Sequence, residues 1–99
     1  MITVIAKLQV QPGKGAAFEE AARAMIAHVT ANEPDTKTYL LHRGTTDQNT
    51  YVFYEVYASP EALSAHGASE AMQRFFGAAG GLLAGQPSIE TFVEVAGKR

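Results

Sequence analysis

The stretch Thr50-Tyr-Val-Phe-Tyr-Glu-Val-Tyr-Ala58 decides the fold. β-Branched and aromatic residues fill it, the composition of a strand. Both parities are largely apolar, with Val52, Tyr54 and Val56 on one side and Tyr51, Phe53 and Tyr57 on the other. A strand that is apolar on both sides calls for cover on both sides. Glu55, on the side of Tyr51, Phe53 and Tyr57, is its one ionisable carboxyl.

Working upstream, Lys37 to Arg43 is a second β-favouring run, joined to the first through Gly44-Thr-Thr-Asp-Gln-Asn49, which reads as a hairpin with a longer loop. Lys14 to Asn32 precedes it. Phe18, Ala22, Met25 and Val29 fall on one helical stripe there, while Glu19, Glu20 and Arg23 face away. Glu33-Pro34-Asp35 stops this helix, because a residue before proline is pushed out of the helical region. Ile2 to Val10 alternates as a half-buried strand and ends at Pro12-Gly13.

Downstream, Ser59-Pro60-Glu61 is an N-cap serine, a proline at the first helical position and an acid in the first turn, opening a short helix through about His66. A second helix runs from Glu70, with a stripe of Met72, Phe76, Ala79 and Leu83, weakened by Gly77, Gly80 and Gly81. Ser88 to Val95 alternates as a last strand. The order β-α-β-β-α-β predicts an α+β domain of the ferredoxin-like, split βαβ type: a four-stranded antiparallel sheet with helices on one face. Packing the uncovered face on a second copy would bury the strand's other side, so a symmetric homodimer through the sheet face is the expectation.

Composition narrows the functional classes. The chain has 99 residues, 46% hydrophobic and 18% charged, with a formal net charge of −2, which points to one small domain spanning residues 1–99. The absence of cysteine removes disulfides, thiolate metal sites and cysteine nucleophiles. No apolar run approaches a membrane span and the N-terminus lacks a signal pattern, so a cytoplasmic protein is expected. Eight basic and ten acidic residues without blocks leave no electrostatic footprint for nucleic acid or membrane. The three histidines have neither i, i+4 spacing nor an HExxH pattern, and no phosphate-binding glycine motif is present, so neither metal nor nucleotide is expected.

Two residues stand out as proton carriers. Glu55 among aromatic neighbours is desolvated, which raises the pKa of a carboxyl toward neutrality. The plainer alternative is a structural salt bridge to Arg43, Lys37 or a partner subunit. His66 points toward the sheet and exchanges protons at physiological pH, although a histidine in a helix's last turn is also favourable for structural reasons alone. His42 and Arg43 are adjacent on a strand and so face opposite ways. His28 flanks the first helix's stripe. Tyr39, Tyr51, Tyr54 and Tyr57 fit sheet packing or the lining of an aromatic-binding pocket.

Met1-Ile-Thr-Val-Ile-Ala-Lys-Leu-Gln-Val-Gln-Pro-Gly-Lys14, Tyr39-Leu-Leu-His-Arg43, Tyr51 to Ser69 and Leu82-Leu-Ala-Gly85 together resemble the antibiotic biosynthesis monooxygenase family, including its quinol monooxygenase branch. The most specific part is Tyr51 to Ser69, with its Tyr-Glu pair, Ser-Pro-Glu-Ala-Leu helix start and following histidine. The resemblance implies a dimeric α/β barrel and oxygenation of a phenolic or quinol-type aromatic without flavin, haem or metal. On this reading Glu55 and His66 handle protons, Tyr51, Phe53, Met72 and Phe76 wall a pocket, and His42 or Arg43 offsets developing negative charge. Many relatives carry a second histidine or similar polar residue five positions after the first, where this chain has Ala71, and the absence of tryptophan sets it apart from the haem-degrading branch. Two other readings use the same residues. A non-catalytic small-molecule-binding or stress-associated dimer predicts Glu55 tied into a salt bridge, and an isomerase would use the acid and base without consuming dioxygen.

Overall fold

The computed structural model describes residues 1–99. Strand β1 (Ile2–Gln9) is followed by helix α1 (Gly15–Asn32), strands β2 (Thr36–Arg43) and β3 (Thr50–Tyr57), helices α2 (Pro60–Gly67) and α3 (Glu70–Ala79), a 3-10 turn at Gly80–Leu82, and strand β4 (Ser88–Phe92). The strands form one antiparallel sheet in the order β2-β3-β1-β4, the ferredoxin-like α+β arrangement, with α1 and α3 on one face. Gly13, at φ +82°, makes the turn from β1 to α1 in a conformation that favours glycine.

The period-2 pattern of β1 and β3 and the 3.6-period pattern of α1 meet in a single core. Val4, Ala6 and Leu8 from β1, Val10 just after it, Phe18, Ala22, Met25 and Val29 from α1, and Tyr51, Phe53 and Tyr57 from β3 are all buried. The register stacks them in rows across the sheet. Val4, Glu55 and Tyr39 form one row; Ala6, Phe53 and Leu41 the next; Leu8, Tyr51 and Arg43 the third.

Three sequence expectations change. The inward stripe of α3 is Ala71, Phe75 and Ala79 rather than Met72, Phe76 and Ala79. Docking on α1 sets this rotation: the Phe75 ring packs 6.0 Å from that of Phe18, and the small Ala71 fits beneath the neighbouring helix. Ser69, which with Gly67 reads in the sequence as a mere interruption between the two helices, is an N-cap, its hydroxyl accepting from the Met72 N–H at 3.1 Å. Strand β4 ends at Phe92 instead of Val95, because Phe92 already pairs with Thr3 and β1 has almost no chain left to pair with.

The face of the sheet away from the helices carries Ile5, Leu40, Val52, Tyr54, Val56 and Phe92. Val52, Tyr54 and Val56 are half-buried, while Ile5, Leu40 and Phe92 are 38%, 52% and 44% exposed, so within one chain this apolar face is only partly covered. No helix is long and apolar enough to cross a membrane.

Candidate active site

Between the helix-bearing face of the sheet and helices α2 and α3 lies an apolar cavity of about 290 Å³. Val4, Ala6, Leu8, Tyr39 and Phe53 form its floor, Leu63, Met72, Phe75 and Phe76 its roof, and Pro87 and Ile89 its edge. Its size sits at the lower end of small-molecule pockets, which run from about 300 to 1,000 Å³. Two ionisable groups other than tyrosine line it, Glu55 and His66, and both are buried.

Glu55 reaches the cavity because strand alternation turns it inward from the middle of β3, between Val4 of β1 and Tyr39 of β2. Only 6% exposed, it makes no salt bridge. Its Oε1 accepts a hydrogen bond from the Tyr57 hydroxyl at 2.6 Å. Burial pushes its carboxyl up from the ordinary 4.5 to about 7, the Tyr57 hydrogen bond opposing the rise and the charge of Glu33 adding to it. The hydroxyls of Tyr57 and Tyr39 are driven well above the usual tyrosine range, burial leading in both and the nearby Glu55 charge adding to it.

His66 is delivered by the last turn of α2. The Ser59 hydroxyl caps this helix by accepting from Ala62 N–H at 3.2 Å, with Pro60 at its start. At its other end the Ser69 hydroxyl donates to the His66 carbonyl at 2.8 Å, so the serine that starts α3 also pins the histidine backbone. The ring lies edge-on to Tyr39, centroids 5.1 Å apart, and 5.3 Å from Tyr57. Its Nδ1 is 2.8 Å from Glu33 Oε1, and its buried Nε2 has no hydrogen-bond partner. A carboxylate only accepts hydrogen bonds, so Nδ1 carries the hydrogen and Nε2 of the neutral ring presents a lone pair.

The site residues expected from the sequence separate into two groups. Glu55, His66, Phe53, Met72 and Phe76 line this cavity together. Tyr51, Arg43 and His42 do not. The Tyr51 hydroxyl donates to Glu19 Oε2 at 2.6 Å and Arg43 Nη1 to the same oxygen at 2.8 Å, tying both to the outer side of α1. His42, paired with Val52, faces away from the helices and is exposed. Of the four tyrosines weighed as pocket lining, Tyr39 alone lines the cavity; Leu63, Phe75, Pro87 and Ile89 went unnoticed as lining residues, as did Glu33, which read only as a helix stop. The hairpin itself held one signal: stepping back from its closing pair, Arg43 opposite Tyr51, brings Tyr39 opposite Glu55.

The fold that builds this chamber recurs in known proteins. The family model described as antibiotic biosynthesis monooxygenase matches residues 1–78. A crystal structure from Caulobacter crescentus, provisionally named as an antibiotic biosynthesis monooxygenase, is 40% identical and superposes with a TM-score of 0.92, covering 96% of this chain and 90% of that one. A Pseudomonas aeruginosa structure is 27% identical at a TM-score of 0.85, covering 96% of this chain and 94% of the other. A Nitrosomonas europaea structure, at 20% identity, shares the fold with a TM-score of 0.89 and covers 97% of this chain and all of its own. No curated protein sequence matches. The family match spans β1 through nearly all of α3, the elements that supply Glu55, His66 and most of the cavity wall, and on it the chain belongs to the antibiotic biosynthesis monooxygenase family.

Proposed function

We propose that the protein is a cofactor-independent monooxygenase that oxidises a quinol or phenolic aromatic with dioxygen, with the cavity at Glu55 and His66 as its active site. The observation that carries this reading is the bare, buried Nε2 of His66 beside a cavity whose other polar groups are a carboxyl near neutrality and a tyrosine. A planar aromatic suits the lining of Phe53, Phe75, Phe76 and Tyr39.

In the proposed reaction His66 Nε2 takes the phenolic proton. The resulting anion is electron-rich enough to pass one electron to dioxygen, and the radical pair closes a C–O bond to give a peroxide anion. The imidazolium returns its proton to that anion. The carbon bearing the peroxide then gives up its ring C–H proton as the O–O bond breaks: one oxygen stays on the ring as a carbonyl, the other leaves as hydroxide and takes a proton to become water, so quinol and dioxygen give a hydroxyquinone and water. Glu55, half-ionised near neutral pH, accepts or supplies the second quinol proton. Water is kept from the peroxide by the apolar walls. Within this chain Glu55 is bonded to Tyr57 and to no cation, which supports the catalytic reading over the binding-only one.

The same proposal includes a homodimer through the helix-free face of the sheet, supported by the uncovered Ile5, Leu40 and Phe92. Sedimentation of wild type and Leu40→Asp tests it: a dimer that the charge converts to monomer is expected, and a wild-type monomer refutes it. For activity, oxygen uptake is followed with hydroquinones and anthrone-like phenols using wild type, Glu55→Gln and His66→Ala. Uptake that depends on the enzyme and falls in both variants is expected. No uptake with any probe, or variants equal to wild type, would overturn the assignment.

A further inference from the structure

His66 separates two spaces. On one side is the apolar cavity; on the other is an open polar groove of about 240 Å³ bounded by His28, Asn32, Glu33, Asp35, Thr36 and Ser69. The ring is 3% exposed and lines both. Its two nitrogens lie on opposite sides of the imidazole, so with Nδ1 on Glu33 the unpartnered Nε2 is turned away from the groove.

Glu33 is held for this contact. Proline at 34 ends α1 there, and the Glu33 N–H caps the helix on Val29 O at 3.0 Å. The Thr36 hydroxyl donates to Glu33 Oε1 at 2.9 Å, so the oxygen that meets His66 is fixed from a second side. The other oxygen, Oε2, is buried without a hydrogen bond and stands 3.7 Å from His28 Nε2. The other titratable groups around the pair are Asp35 at the groove and Tyr39, Glu55 and Tyr57 from the sheet; α2 and the turn after it bring no further titratable group, only Ala62, Leu63, Ala65, Gly67 and Ser69. No lysine or arginine lines either space, so apart from the Thr36 hydroxyl the groups that meet the Glu33 carboxylate are His66 and His28.

We propose that Glu33 is the positioning residue for the proposed base: it fixes His66 as the Nδ1–H tautomer with Nε2 free toward the cavity, and it stabilises the imidazolium formed when Nε2 takes a proton. His28 sits on the outer oxygen and is the contact through which the groove reaches this pair. The assignment rests on the monooxygenase reading for its role in turnover, but the tautomer is a property of the resting protein. A Glu-His pair of this kind orients the ring and offsets its charge without itself touching the substrate.

Two measurements test it. The first is 15N NMR of the histidine rings in the full chain, without substrate, at a pH where His66 is neutral. Wild type is expected to carry the hydrogen on Nδ1 with Nε2 bare, and Glu33→Ala to lose that fixed preference. A wild-type ring with its hydrogen on Nε2, or an unchanged tautomer in Glu33→Ala, overturns the proposal. The second is oxygen uptake with 1,4-dihydroxynaphthalene. Glu33→Gln, which keeps the side chain's shape if Glu33→Ala fails to fold, is expected to lower kcat on the order of 10²-fold with KM within about 3-fold, and formate to restore part of the turnover of Glu33→Ala. Full turnover in Glu33→Gln overturns the role in catalysis. If wild type takes up no oxygen with this or any other quinol, the activity assignment fails while the tautomer measurement still decides the pairing; uptake together with the wrong tautomer fails the pairing alone.

Discussion

Two tyrosine–carboxylate pairs stand on the helix-bearing side of the same sheet, each with the phenol donating at 2.6 Å: Tyr57 to Glu55, and Tyr51 to Glu19. Their carboxyls move in opposite directions. Glu19, on α1, also receives Arg43 at 2.8 Å and Arg23 at 3.3 Å, and it is held below the usual carboxylate range, by the Tyr51 hydrogen bond first and the two guanidinium groups after it. Glu55 meets no cation, and burial lifts it to about 7. One hydrogen bond of fixed length therefore does not decide how a carboxyl titrates; desolvation against a neighbouring positive charge does. Tyr51 and Tyr57 lie on one strand face, so the sheet builds a fixed ion cluster and a neutral-range acid from the same residue pair.

The largest effect separating the two clusters is on turnover. His66→Ala is expected to reduce oxygen consumption with an active quinol by about 10²- to 10⁴-fold, the range for losing a general base, whereas Glu19→Gln leaves it within about 2-fold of wild type on the same electrode. Equal losses would erase the distinction between the clusters.

The next effect is on stability. A carboxyl whose folded pKa lies above its unfolded value binds more protons when folded, so its contribution is fully present below pH 4.5 and is lost as pH rises through about 7. Above that range the ionised, buried Glu55 costs about 3 kcal/mol, at 1.36 kcal/mol for each pKa unit. Glu55→Gln removes the cost: in urea titrations it is expected to match wild type near pH 5 and to exceed it by about 3 kcal/mol at pH 8.5, while oxygen uptake falls. Glu19→Gln reverses the sign, since a depressed carboxyl contributes stability above its unfolded pKa and loses it in acid. A Glu55→Gln stability curve parallel to wild type across pH would show that burial is not what tunes this group.

The sheet, the first helix and the face that Glu55 shares with Phe53 and Tyr57 were legible because each rests on periodicity; which face takes the helices was not, since β3 is apolar on both. Val4, Ala6, Leu8 and Val10 alternate, Phe18, Ala22, Met25 and Val29 recur at helical spacing, and parity alone puts Glu55 beside Phe53 and Tyr57. The Ser59-Pro60 start of α2 was equally local, and it fixes the turn on which His66 arrives. What was not legible depends on docking. Which stripe of α3 turns inward follows from the fit of Ala71 and Phe75 against α1, and no spacing within α3 distinguishes that stripe from Met72 and Phe76 one residue on. Arg43 shares a strand face with Tyr39, yet it lies two rows from Glu55 and is captured by Glu19, a contact 24 residues away in sequence. Glu33 was hidden by its neighbour: Pro34 accounts for the end of the helix so completely that the carboxylate's reach to His66, 33 positions on, leaves no trace in the local pattern.

The finest comparison deletes the same hydroxyl from each pair. Tyr57→Phe strips Glu55 Oε1 of its hydrogen bond in a buried place without a cation, so its carboxyl rises above about 7 and the fall of stability with pH steepens. A loss of about 1 to 3 kcal/mol is expected at pH 8, smaller at pH 5 where the carboxyl is neutral in the folded protein. Tyr51→Phe leaves Glu19 with Arg43 and Arg23 on its oxygens, so no charge is stranded and a loss of about 1 kcal/mol, flat between pH 5 and pH 8, is expected. The phenyl ring keeps its packing in both cases, including the 4.7 Å contact of ring 51 with Phe18. Differential urea unfolding at the two pH values reads both, and a pH-dependent loss for Tyr51→Phe equal to that for Tyr57→Phe would mean that the arginines do not hold Glu19 as their geometry implies.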